Sequence, residues 1–374
     1  MRVGLDLLYL IPGETGGREA YARELVPELL EQAPELELVA FVNRDAGAAL
    51  ARALDERVRA VVIPVSARKR AQWALGELAL VSLAAQHARV DVLHSMANFA
   101  PAWGRFRRVV TIHDLQYKAV PDQLSATVRT LTGTLVSLAA REAERIIAVS
   151  NAGADELVGG LGVARERIDV VPNGVRLPRT VDRASIATLR ERHRFDGRQV
   201  VLAVATNLPH KNLGALIDAL ALIDETERPL LVLAGHGTDD GVLRARADSA
   251  GVGADVRALG ACSTEQLEAL YASADCFALA TLHEGFGLPV VEAMARSLPV
   301  ACSDIPALRE VAGPAAIYFQ PRSAEQIAAA IARLLANPEL AAGLAASGKT
   351  RAQGFSWSAA AARTLSSYER ALAR

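Results

Sequence analysis

Residues 276–295 read CFALATLHEGFGLPVVEAMA: a short apolar run, a turn carrying Gly285 and Gly287, and a helix-forming stretch opened near Pro289. A strand buried on both faces is written as a continuous apolar run rather than an alternation, and CFALA has that form. The glycines after it let the backbone turn sharply and come close to another molecule. Proline suits the first turn of a helix, where its missing N–H costs nothing. The segment is therefore strand, tight turn, helix, and the N–H groups at such a helix start attract a phosphate or a sugar hydroxyl. Glu284 stands before the turn and Glu292 on the helix, with seven residues between them, so both are expected to face one crevice. A helix with a merely capping acid would need none of the other features gathered here.

The same grammar extends outward from this segment. Val-, Ile- and Leu-rich runs alternate with longer stretches of helical period, the pattern of parallel sheets joined by crossover helices. Strands are expected at 2–7, 36–42, 60–63, 90–94, 109–113, 146–149 and 169–171, and again at 200–205, 230–234, 256–259, 276–279, 299–301 and 316–318. Tyr21, Leu25 and Leu29 recur every four residues, as on the buried stripe of a helix. The chain has 374 residues, beyond the roughly 250–300 at which a single core stops growing. The polar stretch NGVRLPRTVDRAS, with Gly174 and Pro178, reads as the linker. The expected division is a first domain at 1–175, a linker at 176–185, a second domain at 186–355 and a helical tail at 356–374. The fold class is α/β, with two Rossmann-like, doubly wound parallel-sheet domains.

Composition narrows the function. Hydrophobic residues make up 51% and charged residues 22%, as in a globular protein. A formal net charge of −1 provides no global field for nucleic acid. Arg68, Lys69 and Arg70, and Arg105, Arg107 and Arg108, form local clusters, read either as a positive patch or as ordinary solvated faces. Cys262, Cys276 and Cys302 have no CxxC spacing, and a chain this long needs no disulfide staples, so a reducing cytoplasm is expected. The start, MRVGLDLLYLIPG, reads as a strand rather than a leader. No apolar run approaches the roughly 18–20 residues of a membrane-spanning helix.

Ligands of open α/β sheets bind beyond the carboxyl ends of the strands. In VVLAVATNLPHKNLGALIDAL, residues 200–220, Lys211 falls just before a helix start. A lysine there opposes the helix dipole unless an anion neutralises both, which points to a diphosphate beside Thr206, Asn207 and Lys211. An exposed loop lysine is the plainer alternative. His94 and His113 end strands, and histidine can exchange a proton with a sugar hydroxyl near neutrality. His113, followed by Asp114, is the stronger candidate; a structural role competes evenly for His94. Gly16 and Gly17 in PGETGG permit close approach of a substrate, or mark an ordinary turn. GHGTDDG, residues 235–241, nearly matches a dinucleotide fingerprint, but its third glycine comes one residue late, which places a nicotinamide enzyme last.

Together these segments resemble the retaining glycosyltransferases of family 4, with the GT-B fold, and within them the bacterial polysaccharide mannosyltransferases. The likeness rests on Gly16 and Gly17, TIHDL around His113, IAVSNAGADEL, VVPNGV, the Lys211 loop and EGFGLPVVEAMA. It implies two domains facing a central cleft, the second holding a nucleotide-sugar donor and the first an acceptor. Donor contacts implied are Gly16, Gly17, Thr206, Asn207, Lys211 on the diphosphate, Gly285, Phe286, Gly287 and Leu288 near the sugar, and Glu292 on the ribose. His113, Glu284 and Lys211 are expected to carry the catalytic roles, and His94 and Asp114 to contact the acceptor.

Retaining transfer of a hexose without a metal or other cofactor is implied, from GDP-mannose first and UDP-glucose next. The acceptor is a glycan, a small molecule or a lipid-linked glycan, the last at the inner membrane face if the basic clusters form a patch. No nucleic-acid partner is expected. The tail from Trp357 is expected to pack back on the first domain. A nucleotide-sugar epimerase and a non-catalytic sugar-binding protein are the alternative readings. Two departures stand out. Ala205, Thr206 and Asn207 occupy the place where many relatives carry an arginine, and Arg296-Ser297 replaces a small residue and glycine after EAMA.

Overall fold

The computed structural model describes residues 1–123, 125–195 and 197–373, so Leu124, Asp196 and Arg374, which closes the expected tail, lie outside it. Two compact units make up the chain: Met1–Gly174 with Ser356–Arg374, called unit 1, and Val175–Phe355, called unit 2. Unit 1 holds β1 (Arg2–Leu7), β2 (Glu37–Asn43), β3 (Arg59–Ile63), β4 (Val92–Ser95), β5 (Arg107–Ile112), β6 (Arg145–Ala148) and β7 (Ile168–Val170). Unit 2 holds β8 (Val200–Val204), β9 (Leu230–Ala234), β10 (Val256–Ala258), β11 (Cys276–Leu279), β12 (Val300–Ser303) and β13 (Ala316–Phe319).

The spatial orders are β3-β2-β1-β4-β5-β6-β7 and β10-β9-β8-β11-β12-β13, and every strand pairing among the described residues is parallel. Burial explains the sequence runs: all five residues of β9 and all four of β11 are buried, because helices cover both faces of such a sheet. In unit 1 the helix Gly17–Gln32 sinks Tyr21, Leu25 and Leu29 completely into the core.

Both sheets reverse their winding once. In unit 1 the reversal lies between β1 and β4, and in unit 2 between β8 and β11. At such a point the connecting loops leave in opposite directions and open a crevice at the strand ends. The 8–16 loop leaves β1, the Lys211 loop leaves β8 and the Glu284 loop leaves β11. The fold thus delivers the singled-out segments to the places where this architecture accepts ligands.

Observed strand ends differ from expectation by a residue or two. β12 continues to Ser303, which pairs in register with Phe319 of β13, and the Ser303 hydroxyl donates to the Leu279 carbonyl at 3.2 Å. β5 starts at Arg107 rather than 109, since Arg107 and Arg108 pair in register with Val92 and Leu93 of β4, and the Arg108 backbone N–H and guanidinium both reach Glu144, at 2.5 and 3.3 Å. Arg68 pairs with Glu14 at 2.5 Å. Both arginine clusters therefore contain neutralised members, which weakens their reading as one positive patch. Among the described residues no single helix is long and apolar enough to cross a membrane.

The helix Trp357–Leu372 belongs to unit 1 and is fastened there by polar groups as well as apolar ones. Asp169 at β7 accepts from Arg145 Nε at 2.9 Å, from the Ser367 hydroxyl, and pairs with Arg370 at 2.9 Å. Gly174 approaches this helix so closely that a Cβ there would lie 2.2 Å from the Trp357 backbone nitrogen. Removing one partner of a buried ion pair strands the other charge. Asp169→Ala should therefore destabilise unit 1 by about 3–5 kcal/mol, read as a lower urea midpoint for its unfolding.

Candidate active site

In unit 2 the Lys211 loop and the Glu284 loop are stitched together by their own backbone. The Thr281 hydroxyl donates to the His210 carbonyl at 3.0 Å, and the Leu282 N–H donates to the same oxygen at 2.7 Å. Asn212, in the left-handed conformation at φ 54°, donates its side-chain amide to the carbonyls of Ala280 and Pro321, at 3.1 and 2.7 Å. Lys211 Nζ then donates to Glu284 Oε1 at 2.6 Å, with the side chains 21% and 12% exposed. An anion beside Lys211 is supplied by the chain itself, as the Glu284 carboxylate. An ammonium has three donors, so the pairing leaves Lys211 capacity for a further anionic oxygen.

The glycine turn behaves as its composition requires. Gly287 has φ 98° and precedes the helix Leu288–Ala295, which starts without a capping side chain and with proline in its first turn. A Cβ on Gly287 would also strike Leu308 at 2.4 Å, so both backbone angle and space demand glycine. The uncapped start adds the partial positive charge of the helix dipole to a position four residues after Glu284. Phe286 is buried and packs edge-on to Phe355, with ring centroids 5.5 Å apart, which anchors the turn.

Glu292 lies on the second turn of that helix and accepts from the Tyr271 hydroxyl at 3.0 Å. Burial raises its pKa, opposed by the charge of Arg296 and the Tyr271 hydrogen bond. The two glutamates therefore answer to different partners, a cation for Glu284 and a phenol for Glu292. Neither partner, 73 and 21 residues away in sequence, was signalled by local spacing.

Thr206 and Asn207 follow β8. The Asn207 amide group donates to the Gly237 carbonyl and to Asp240, both at 3.1 Å, tying this loop to GHGTDDG. Gly235 has φ 139°, and a Cβ on it would meet the Ala205 carbonyl oxygen at 2.1 Å. That motif is thus a strand-to-helix turn kept small by its neighbour. His210, the basic residue nearest Lys211, has its side chain buried.

In unit 1, Gly16 has φ 56° and ψ −131° and opens the helix Gly17–Gln32, again without a capping side chain. The loop is held by the Thr15 hydroxyl on the Ile11 carbonyl at 2.8 Å and by the Gly13 N–H on Glu19 at 2.7 Å. His113 Nε2 bonds the Met96 carbonyl at 2.9 Å, so it carries the proton and Nδ1 is the basic nitrogen. Its ring packs edge-on against Tyr21 at 4.9 Å. The Asp114 carboxylate accepts from the Gln116 N–H at 3.1 Å and its carbonyl from Asn98 at 3.1 Å, which shapes the turn beside His113.

His94 does not reach outward as expected of an acceptor contact. It is fully buried, with Nδ1 bonded to the Tyr368 hydroxyl at 2.7 Å and Nε2 to the Thr111 hydroxyl at 2.8 Å. With both nitrogens occupied, its role is internal, linking the C-terminal helix to the sheet. Among the described residues no group of three or more His, Cys, Asp and Glu side chains is gathered as metal ligands would be.

Comparison with known proteins bears on both halves. The family model described as Glycosyltransferase Family 4 matches residues 15–179, and Glycosyl transferases group 1 matches 185–351. The chain is 32% identical over 239 residues to MMP alpha-(1->4)-mannosyltransferase of Mycolicibacterium hassiacum, covering 63% of this chain and 56% of the relative. It is 27% identical over 290 residues to O-antigen chain mannosyltransferase B of Escherichia coli, covering 75% and 74%. The chain thus spans little more than half the length of the first relative. Among solved structures it is similar to Anabaena HepE in complex with UDP-glucose, with TM-score 0.79, 22% identity and coverage of 98% and 100%.

The two unit 1 histidines predict a pH response. Burial pushes the pKa of His94 down to about 3 and that of His113 down to about 4, against about 6.5 for a free imidazole. Below 6.5 the unfolded chain binds protons that the folded one refuses, so stability is lost as pH falls through this window. His94→Gln should flatten the dependence of unfolding free energy on pH between about 6.5 and 4 by roughly one proton. An unchanged slope in urea titrations across that range would contradict a neutral, buried His94.

Proposed function

From the premise that the chain belongs to family 4 of the glycosyltransferases, with the GT-B fold, we propose that it moves a hexose from a nucleoside-diphosphate sugar to an acceptor hydroxyl with retention of anomeric configuration. The observation that carries this reading is the Lys211–Glu284 pair beside an uncapped helix start at the winding reversal of unit 2. A leaving diphosphate develops negative charge, and a positioned ammonium with backbone N–H groups at a helix start stabilises it in the transition state. Lys211 serves the diphosphate, the backbone at Gly285, Phe286, Gly287 and Leu288 the sugar, and Glu292 the ribose. Thr206 and Asn207 border the nucleotide, and Glu284 orients Lys211 and the sugar.

The bond from the anomeric carbon to the phosphate oxygen breaks as the acceptor oxygen bonds the same face, and the acceptor proton passes to the departing phosphate oxygen. No protein nucleophile and no metal is required by this scheme. The acceptor belongs to unit 1 in this reading, with Gly16 and Gly17 supplying an open loop and His113 Nδ1 accepting from a sugar hydroxyl. GDP-mannose is the first donor to test, since both relatives bear the name mannosyltransferase; UDP-glucose, held by the Anabaena protein, is the second. A lipid-linked or other glycan is the acceptor class proposed, and a cytoplasmic setting follows from the donor, with attachment to a membrane face left to the acceptor.

A thermal-shift screen with GDP, UDP, ADP and dTDP and their sugars tests the donor. A ligand at a hundred times its Kd stabilises by about 2.7 kcal/mol, so one nucleotide should raise the melting temperature clearly. A flat response to all of them sinks the reading. With the donor so identified, Lys211→Met should lower kcat by about a hundredfold or more with an intact fold. Glu284→Ala should likewise abolish transfer, EDTA should leave it unchanged, and NMR of the product should show the donor's anomeric configuration. Turnover of donor without acceptor would instead indicate an epimerase.

A further inference from the structure

Glu292 is surrounded by an ordered set of side chains that the transfer reaction does not by itself require. Tyr271, on the helix Thr264–Ser273, is buried, and its hydroxyl donates to Glu292 Oε2 at 3.0 Å. The Arg296 guanidinium lies over the Tyr271 ring, 4.8 Å from its centroid, while the Phe277 ring of β11 lies 6.1 Å from it at an interplanar angle of 30°. Arg296 is fixed in turn. It grips Glu268 through Nε at 2.9 Å and Nη2 at 2.5 Å, and donates through Nη1 to the Glu292 carbonyl at 2.9 Å. The Arg296 and Glu268 side chains are only 9% and 5% exposed.

This arrangement gives the phenol a single orientation. A buried tyrosine ring packed against a planar cation and another ring is restrained, and its O–H is aimed at one carboxylate oxygen. Glu292 Oε2 is thereby committed, while Oε1 has no hydrogen-bond partner among the described residues. A carboxylate held in that way presents the second oxygen in a fixed direction to an external hydroxyl donor. The cation comes from the Arg296-Ser297 pair. Ser297 takes φ 58°, a conformation glycine adopts without strain, so the helix ends as a glycine would end it while the preceding residue supplies a guanidinium.

We propose that Tyr271, Arg296 and Glu268 are positioning residues that set Glu292 to read the ribose hydroxyls of the bound nucleotide, making ribonucleotide preference depend on the Tyr271 hydroxyl. The inference rests on the assignment of Glu292 to the ribose made above. Tyr271 touches no substrate in this scheme; it acts through Glu292 alone.

The test compares dissociation constants, by calorimetry on the full chain, for UDP and GDP and for their 2′,3′-dideoxy counterparts, which lack both hydroxyls that a carboxylate could accept from. The wild type should favour the ribonucleotide. Tyr271→Phe keeps the ring and removes only the hydroxyl, and should reduce that preference by about tenfold while leaving dideoxynucleotide affinity unchanged. Equal weakening of both nucleotides, or an unchanged ratio, overturns the proposal. Glu292→Gln separates the two levels of the argument. If it leaves the ratio unchanged, or if the wild type shows no preference, the ribose assignment fails and this inference with it; if it removes the preference while Tyr271→Phe does not, only the positioning role fails. Should Tyr271→Phe not fold, judged by its melting temperature without nucleotide, Arg296→Lys decides by the same ratio. That variant keeps the charge but loses the two-pronged grip and the flat stack, and the preference should fall.

Discussion

An all-parallel sheet covered by helices on both faces has almost nowhere to put polar chemistry except the ends of its strands. Everything described for this protein follows from that confinement. Apolar residues fill β8, β9 and β11 to their last positions, and the first residues free to be polar are those in the loops that leave them. Where the winding reverses, between β8 and β11, two such loops diverge and their polar groups meet: the Thr281 hydroxyl and Leu282 N–H on one carbonyl, Lys211 on Glu284. The low exposure of Lys211 and Glu284 makes their pairing more than a surface ion pair, because charges withdrawn from water need partners.

The parts of the molecule legible in the sequence were those written in local spacing. Continuous apolar runs marked all thirteen strands of the described residues to within a few residues, the four-residue recurrence of Tyr21, Leu25 and Leu29 marked a buried helix face, and Gly287 marked a turn that only glycine makes. What escaped was long-range and polar. Nothing near Lys211 in sequence announces Glu284 as its counter-charge, and nothing near Glu292 announces Tyr271. His94 was ambiguous for the same reason: whether a histidine at a strand end faces ligand or core depends on Tyr368, 274 residues later. The buried carboxyl of Glu77 was likewise invisible. Burial, and next the charge of Asp6, raise its pKa well above the usual range, although the two residues are far apart in the chain.

Side chains at the site also show how one carboxylate differs from another. Glu284 has a cation at 2.6 Å and sits ahead of a helix start, whereas Glu292 has a phenol at 3.0 Å and sits within the helix itself. The same residue type in one short segment is thus given two electrostatic environments by partners from different helices and loops, which is why their spacing alone could mark a candidate site but not divide its labour.

Unit 1 is made of two stretches of chain that are not continuous, 1–174 and 356–374, with the whole of unit 2 between them. On the ribosome, the first stretch emerges long before the helix whose Tyr368 satisfies His94 and whose Ser367 and Arg370 meet Asp169. Until then His94 has Thr111 and Asp169 has Arg145 within the first stretch, but the rest of their partners follow only after an uninterrupted unit 2 with every strand of its own sheet in hand. Once unit 2 has formed, it acts as a compact spacer in place of a long flexible loop, and the entropy of bringing the final helix back falls accordingly. The first unit to begin is therefore completed only when the helix Trp357–Leu372 has been made, after the whole of unit 2.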